Sequence, residues 1–224
     1  MSEPHLYEPS PADRWDEALR APLAEINEDV FGVLVAEIAS LRAPWQSLGE
    51  AGRRRLLCCP YLLLEGGFSR PDLWAGLPRS AVSDVRVGAA PASPAAAGSP
   101  GALPTALVRR VLHFAWHLAR TDPRAARLVL GMSRTCTQMF VGCRLAELEI
   151  FAELQPAWIR IRWANCAGLW SAWISAAAHG RTRDLERLQL WGLQMLAADS
   201  LALPRHSPGR RSPMPAPALA INLR

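Results

Sequence analysis

Apolar residues recur with helical spacing along most of this chain. Leu23, Ile26, Val30, Leu34, Ile38 and Leu41 follow one another every three to four residues, which predicts a single helix with one apolar stripe. Pro44 is expected to end it. Ser47, three residues before Glu50, has the form of a capping box. The helix it would start runs through Arg53, Arg54 and Arg55 to about Cys59, and Pro60 stops it. Three consecutive arginines point in three directions around a helix, so they read as a solvated helix end. The next run, YLLLEGGF, is apolar with a Gly–Gly break, and Pro71 is placed to open a short helix that turns Leu73 and Trp74 inward.

The second half is denser. Leu107 to Arg120 reads as a helix with Val111, Phe114 and Leu118 on one side. Asp122 followed by Pro123 predicts a new helix, since a carboxylate N-cap precedes a residue preset for the first turn. Gly131 supplies a left-handed stop, and Ser133 caps a further helix to about Val141, with Gly142 as the next stop. Arg144 to Leu154 forms another, its stripe Leu145, Leu148, Phe151 and Ala152, closed by Pro156. This stripe is expected to pack against Leu169, Trp170, Trp173 and Ile174. In AWIRIRWA the period shifts to two, which predicts a short extended piece around Ile159 to Trp163. Helical spacing returns at Leu169, Gly180 breaks it, and Thr182 caps a last helix from Arg183 to Leu201.

Between Val87 and Pro104 the chain reads VGAAPASPAAAGSPGALP, too poor in large apolar groups to offset its ordering entropy. The expected organisation is a flexible arm over residues 1–12 and an N-terminal helical subdomain over 13–86. A Pro/Ala/Gly/Ser-rich linker over 87–104, a C-terminal helical domain over 105–203 and a disordered basic tail over 204–224 complete it. The fold class is all-α: a helical bundle, with two helical subdomains as one form of it and a helix-turn-helix-like unit in the second half.

Half of the 224 residues are hydrophobic, and nine are Trp. That is ample for a core, and Trp serves either helix packing or an interface. The formal charge is +5, and all 25 basic residues are Arg. Such a balance permits an acidic partner or nucleic acid without demanding one. The excess of Ala, Pro and Gly suits a coding bias towards Arg equally well. Cys58, Cys59, Cys136, Cys143 and Cys166 are odd in number and lack CxxC spacing, so they read as small core residues in a reducing compartment. The first residues have no charge-then-apolar signal layout, and no run reaches the roughly 18 apolar residues of a membrane span. A cytoplasmic location and no membrane insertion are expected.

No phosphate-binding loop, dinucleotide fingerprint or GxSxG elbow is present, and the paired carboxylates Glu147/Glu149 and Glu28/Asp29 read as solvated helix faces. His113 and His117 have metal-binding spacing, but no acid or cysteine sits at a matching spacing nearby. No catalytic residue, cofactor, metal or small-molecule substrate is therefore assigned, and the chain is expected not to be an enzyme.

The stretch from Ala125 to Trp163 carries three short helices separated by GMS and GC, close to the spacing of a helix-turn-helix and the helix after it. Arg124, Arg127, Arg134 and Arg144 lie towards one end of the unit, Arg160 and Arg162 at the other. Through Leu130–Gly131–Met132–Ser133, through Leu145, Leu148 and Ala152, and through Arg162 and Trp163, this stretch resembles the central part of the FlhD family of flagellar transcriptional regulators. The resemblance implies an all-α dimer that works with a second regulatory subunit on promoter DNA. Candidate nucleic-acid contacts are Arg134, Arg144, Arg160 and Arg162, expected together on one exposed basic face. The alternative is a helical adaptor, or a chaperone-like accessory of a secretion or motility apparatus, that binds a protein partner or a second copy of itself. Its interface would use Trp158, Trp170, Trp173 and Trp191.

Overall fold

A long amphipathic helix organises the second half of the structure. The computed structural model describes residues 11–75, 103–154 and 156–201. Within it, α5 (Thr105–Thr121) buries Leu107, Val108, Val111, Leu112, Ala115, Leu118 and Ala119 along one broad face. Against α5 pack α6 (Pro123–Leu130), α7 (Arg134–Gly142), α8 (Leu145–Leu154) and, from the first half, α1 (Pro11–Glu37). The remaining helices are α2 (Ala39–Gln46), α3 (Glu50–Leu57), α4 (Pro71–Trp74), α9 (Ala167–Ala178) and α10 (Thr182–Leu201). The extended piece expected near Ile159 is β2 (Arg160–Ile161), paired antiparallel with β1 (Leu64–Glu65) in the register Leu64↔Ile161 and Glu65↔Arg160. The fold is all-α, with this two-stranded ribbon as the only sheet among the described residues.

The local stop signals behave as their chemistry requires. Asp122 accepts the Arg124 and Ala125 N–H groups at 2.8 Å each, satisfying two donors that the first turn of α6 leaves free. Gly131 ends α6 at φ 68°, and Gly180 follows α9 at φ 64°, both in the left-handed region that suits glycine. The Ser133 hydroxyl accepts the Cys136 N–H at 3.1 Å.

Several expectations for the first half are corrected. The stripe from Leu23 to Leu41 is broken at Ile38, which is extended (φ −101°, ψ 94°), and Pro44 lies inside α2 rather than ending a helix. The break turns α2 back so that Trp45 stacks on Phe31 of α1, ring centres 5.1 Å apart. Ser47 forms no capping box. Its hydroxyl donates to the Pro44 carbonyl, and Gly49 is the N-cap of α3. Of the three arginines only Arg54 is solvated, pairing with Glu50; Arg53 lies over the Trp45 ring and Arg55 donates to the Ala177 carbonyl at the end of α9.

The two halves of the sequence share one core, so they do not stand as separate packed subdomains. α2 and α3 pack on α9, β1 pairs with β2, and the Leu62 N–H donates to the Val129 carbonyl. Aromatic rings carry much of the contact. Phe31, Trp45, Tyr61, Trp163, Trp170 and Trp173 form one group, and Phe68, Trp74, Phe140, Phe151 and Trp158 another. Phe151 is buried as expected but meets Trp74 and Trp158, not α9; α8 lies on α5 instead. Leu145, expected inward, is 38% exposed. Residues 1–10 of the expected arm, 76–86 of the first subdomain, 87–102 of the linker and the tail 204–224 lie outside the described residues; Pro11 and Ala12 begin α1, and Leu103 is buried.

Candidate nucleic-acid interface

From Pro123 to Ala146 the chain carries Arg124, Arg127, Arg134 and Arg144 and not one Asp or Glu. This stretch is α6, the turn Gly131–Met132–Ser133, α7 and the start of α8. The inward sides are apolar: Ala125, Ala126, Val129 and Leu130 on α6, Met132 in the turn, and Cys136, Thr137 and Phe140 on α7 are buried. Solvent meets Arg124, Arg127 and Leu128 on α6, and Arg134, Thr135, Gln138 and Val141 on α7. The nearest carboxylate in sequence, Asp122, spends an oxygen on the α6 N-cap.

Elsewhere the exposed charges are largely matched. Arg109 pairs with Glu153 at 2.5 Å, and Arg110 joins both Glu25 and Asp29, tying α5 to α8 and α1. His113 of α5 lies 3.7 Å from Glu149 of α8, an acid 36 residues further along the chain that the fold brings beside it. Such half-exposed pairs add little stability, but they leave those faces electrically mixed. The α6–α7 face is the contrast.

The four arginines expected on one basic face are not together on it. Arg134 is exposed in the first turn of α7. Arg144 is exposed, yet its Nε lies 3.6 Å from Glu147, whose carboxylate also accepts the Arg144 N–H at 2.9 Å. Arg160 is exposed on β2 directly opposite Glu65, an arrangement that places opposite charges side by side. Arg162 is only 7% exposed and donates to the Leu62 and Leu130 carbonyls, so it cannot present its charge to a phosphate. Within this stretch Arg124 and Arg127, which are not among the four expected contacts, are exposed as well. Their signal in the sequence is the run from Pro123 to Ala146, which holds no Asp or Glu.

The tryptophans divide likewise. Trp170 and Trp173, expected at an interface, are fully buried and pack on each other at 5.4 Å. Trp158 is half-buried against Phe151, while Trp191 is 44% exposed and rests on Trp163. Next to it Leu190 is 58% exposed.

The perturbed titratable groups belong mainly to the core. Burial pushes the Cys59 thiol up to about 12. Burial, and then the neighbouring Cys59, raise the Tyr61 phenol, and burial raises the Cys136 thiol. Each stays protonated at neutral pH and serves packing. Cys58 and Cys166, expected in the core with the others, are exposed. An open groove of about 730 Å³ between α1 and α5 is lined by Glu28, Asp29, Trp45, Arg53 and Arg110, again with mixed charge. Among the described residues no three His, Cys, Asp or Glu side chains are grouped to hold a metal, and no helix is long and apolar enough to cross a membrane. Compared with protein-family models, curated proteins and solved structures, the chain matches none.

Proposed function

We propose that this protein is a DNA-associated regulatory subunit, of the kind its resemblance to the FlhD family implies, acting with a partner protein rather than as an enzyme. One observation carries the reading: the solvent side of α6 and α7 presents Arg124, Arg127 and Arg134 with no carboxylate between Pro123 and Ala146. A cationic strip with no acid of its own attracts a polyanion, because each arginine that meets a phosphate releases condensed counterions; Asp72, the α4 carboxylate whose field reaches α7, is paired with Arg70. The local architecture suits the same ligand. Two short helices joined by a tight glycine turn pack on a third, and the second offers Thr135 and Gln138 beside Arg134 to a groove. A cytoplasmic location fits this reading.

A second reading, the helical adaptor, is favoured by Leu190 and Trp191 on α10, large apolar side chains turned to solvent. It is compatible with the first, since a regulatory subunit needs a surface for its partner. Gel shifts with mixed-sequence duplex at about 50 mM salt, where weak phosphate contacts survive, separate the two. The regulator reading expects a shift by the chain alone or with its co-purifying partner. No shift in either form, with a partner retained through α10, leaves the adaptor.

A further inference from the structure

The turn between α6 and α7 is fastened by groups distant in sequence. On one side the Leu62 N–H donates to the Val129 carbonyl, and on the other the Ser133 N–H donates to the Phe68 carbonyl, each at 2.9 Å. Between them lies the guanidinium of Arg162. Its Nη2 donates to the Leu130 carbonyl and its Nε to the Leu62 carbonyl, both at 3.1 Å, while its backbone N–H donates to the Leu63 carbonyl at 2.9 Å. Leu130 is the last residue of α6, and Gly131 follows it at φ 68°. Leu196 of α10 lies so close to Gly131 that a β-carbon there would overlap it.

The last carbonyls of a helix have no partner within it, and α6 gives one of them to a planar fork whose donor directions are fixed. A buried cation is a costly way to fill space compared with an apolar side chain, so its value lies in the geometry it imposes. We propose that Arg162 is a positioning residue for α7. By tying the end of α6 to the Leu62–Leu63 segment, it sets the direction in which α7 leaves the turn and the face that α7 offers to nucleic acid. Its effect on DNA rests on the proposed function above; its effect on the turn does not.

The full-length chain with Arg162→Gln, Arg162→Lys or Arg134→Gln tests this, using amide hydrogen exchange and duplex binding across a salt series. In Arg162→Gln, the Ser133, Cys136 and Thr137 amides should exchange about tenfold faster while those of α9 hold, the scale expected for loss of a charge-assisted hydrogen bond. Duplex affinity should fall by about tenfold with the salt slope unchanged, and Arg162→Lys should restore part of both losses. Arg134→Gln should do the reverse, lowering the slope by about one with exchange at the turn unaltered. Unchanged exchange at the turn in Arg162→Gln overturns the proposal, and so does a slope that drops by about one, which would make Arg162 a phosphate contact. If Arg162→Gln does not fold, Arg162→Lys carries the same comparison: faster exchange at the turn with α9 unaltered supports the proposal, and unchanged exchange overturns it. Failure of the unaltered chain to bind duplex removes the proposed function, and the exchange pattern still decides the role of Arg162.

Discussion

The Tyr61 hydroxyl sits where the side chain of residue 192 would be: a β-carbon added to Gly192 would fall well inside contact distance of the phenolic oxygen and of the ring carbon that bears it. Tyr61 is fully buried and packs edge-on against Trp163 and Trp173, so the ring has nowhere to retreat. Gly192 is thus what lets α10 close over the aromatic core. Gly192→Ala should destabilise the fold by about 1–3 kcal/mol in urea melts, the usual cost of overpacking. Adding Tyr61→Phe should return part of that loss, because the two sites then couple through one oxygen.

Asn27 is the buried polar group that joins α1 to the segment leading into β1. Its amide donates to the Tyr61 carbonyl and accepts the Leu63 N–H, both at 3.0 Å. Asn27→Leu removes both partners at once and leaves two buried backbone groups unsatisfied, at about 1–3 kcal/mol each. Denaturant unfolding should show a loss of about 2–6 kcal/mol, and a loss under about 1 kcal/mol would mean that water replaces the amide.

Phe151 is 5% exposed between Trp74 and Trp158, with ring centres at 4.6 and 5.2 Å. Phe151→Ala should cost about 3–5 kcal/mol, and the melt should also report on Trp74 through its fluorescence. A change confined to the α9 tryptophans would contradict the packing described here.

These contacts mark what could and could not be read from the chain. The caps at Asp122, Gly131, Ser133 and Gly180 were legible because each is a local event, decided within one turn by a side chain and the backbone beside it. The period-two stretch that became β2 was legible for the same reason. The break at Ile38 was not, because the apolar spacing continues across it and the bend is set by Trp45 stacking on Phe31. Arg162 read as a surface cation since Arg usually is one, and its burial depends on carbonyls 32 and 100 residues away. Trp170 and Trp173 likewise could have been core or interface until Phe31 and Tyr61 were placed against them. For the candidate interface, counting arginines misled where noting missing acids would have pointed to Arg124 and Arg127.

Thiol chemistry gives a fourth check. Of the five cysteines, Cys58 and Cys166 are exposed while Cys59, Cys136 and Cys143 are buried, so a thiol reagent should label two sites quickly and three only on unfolding. The Cys59 thiol, held protonated by burial up to about 12 against an ordinary 9.0, adds stability that is fully present below pH 9.0. As pH rises the unfolded chain releases this proton first, so that stability is lost between 9.0 and about 12. The Tyr61 phenol, also raised by burial, acts in the same sense. The urea midpoint should fall with pH through this window, and Cys59→Ala should flatten the fall.

The α6–α7 face is most directly tested by the salt dependence of duplex binding, for the unaltered chain and for the triple change Arg124→Gln, Arg127→Gln, Arg134→Gln. Each phosphate contact adds about 0.9 to the magnitude of the slope of log affinity against log salt, so the triple change should lower it by close to three. Helix content should stay as it was, since all three side chains face solvent. Arg160→Gln, opposite Glu65, should leave the slope nearly unaltered. An unaltered chain that binds no duplex at about 50 mM salt, with or without its partner, would contradict the account, and so would a triple change that leaves the slope where it was.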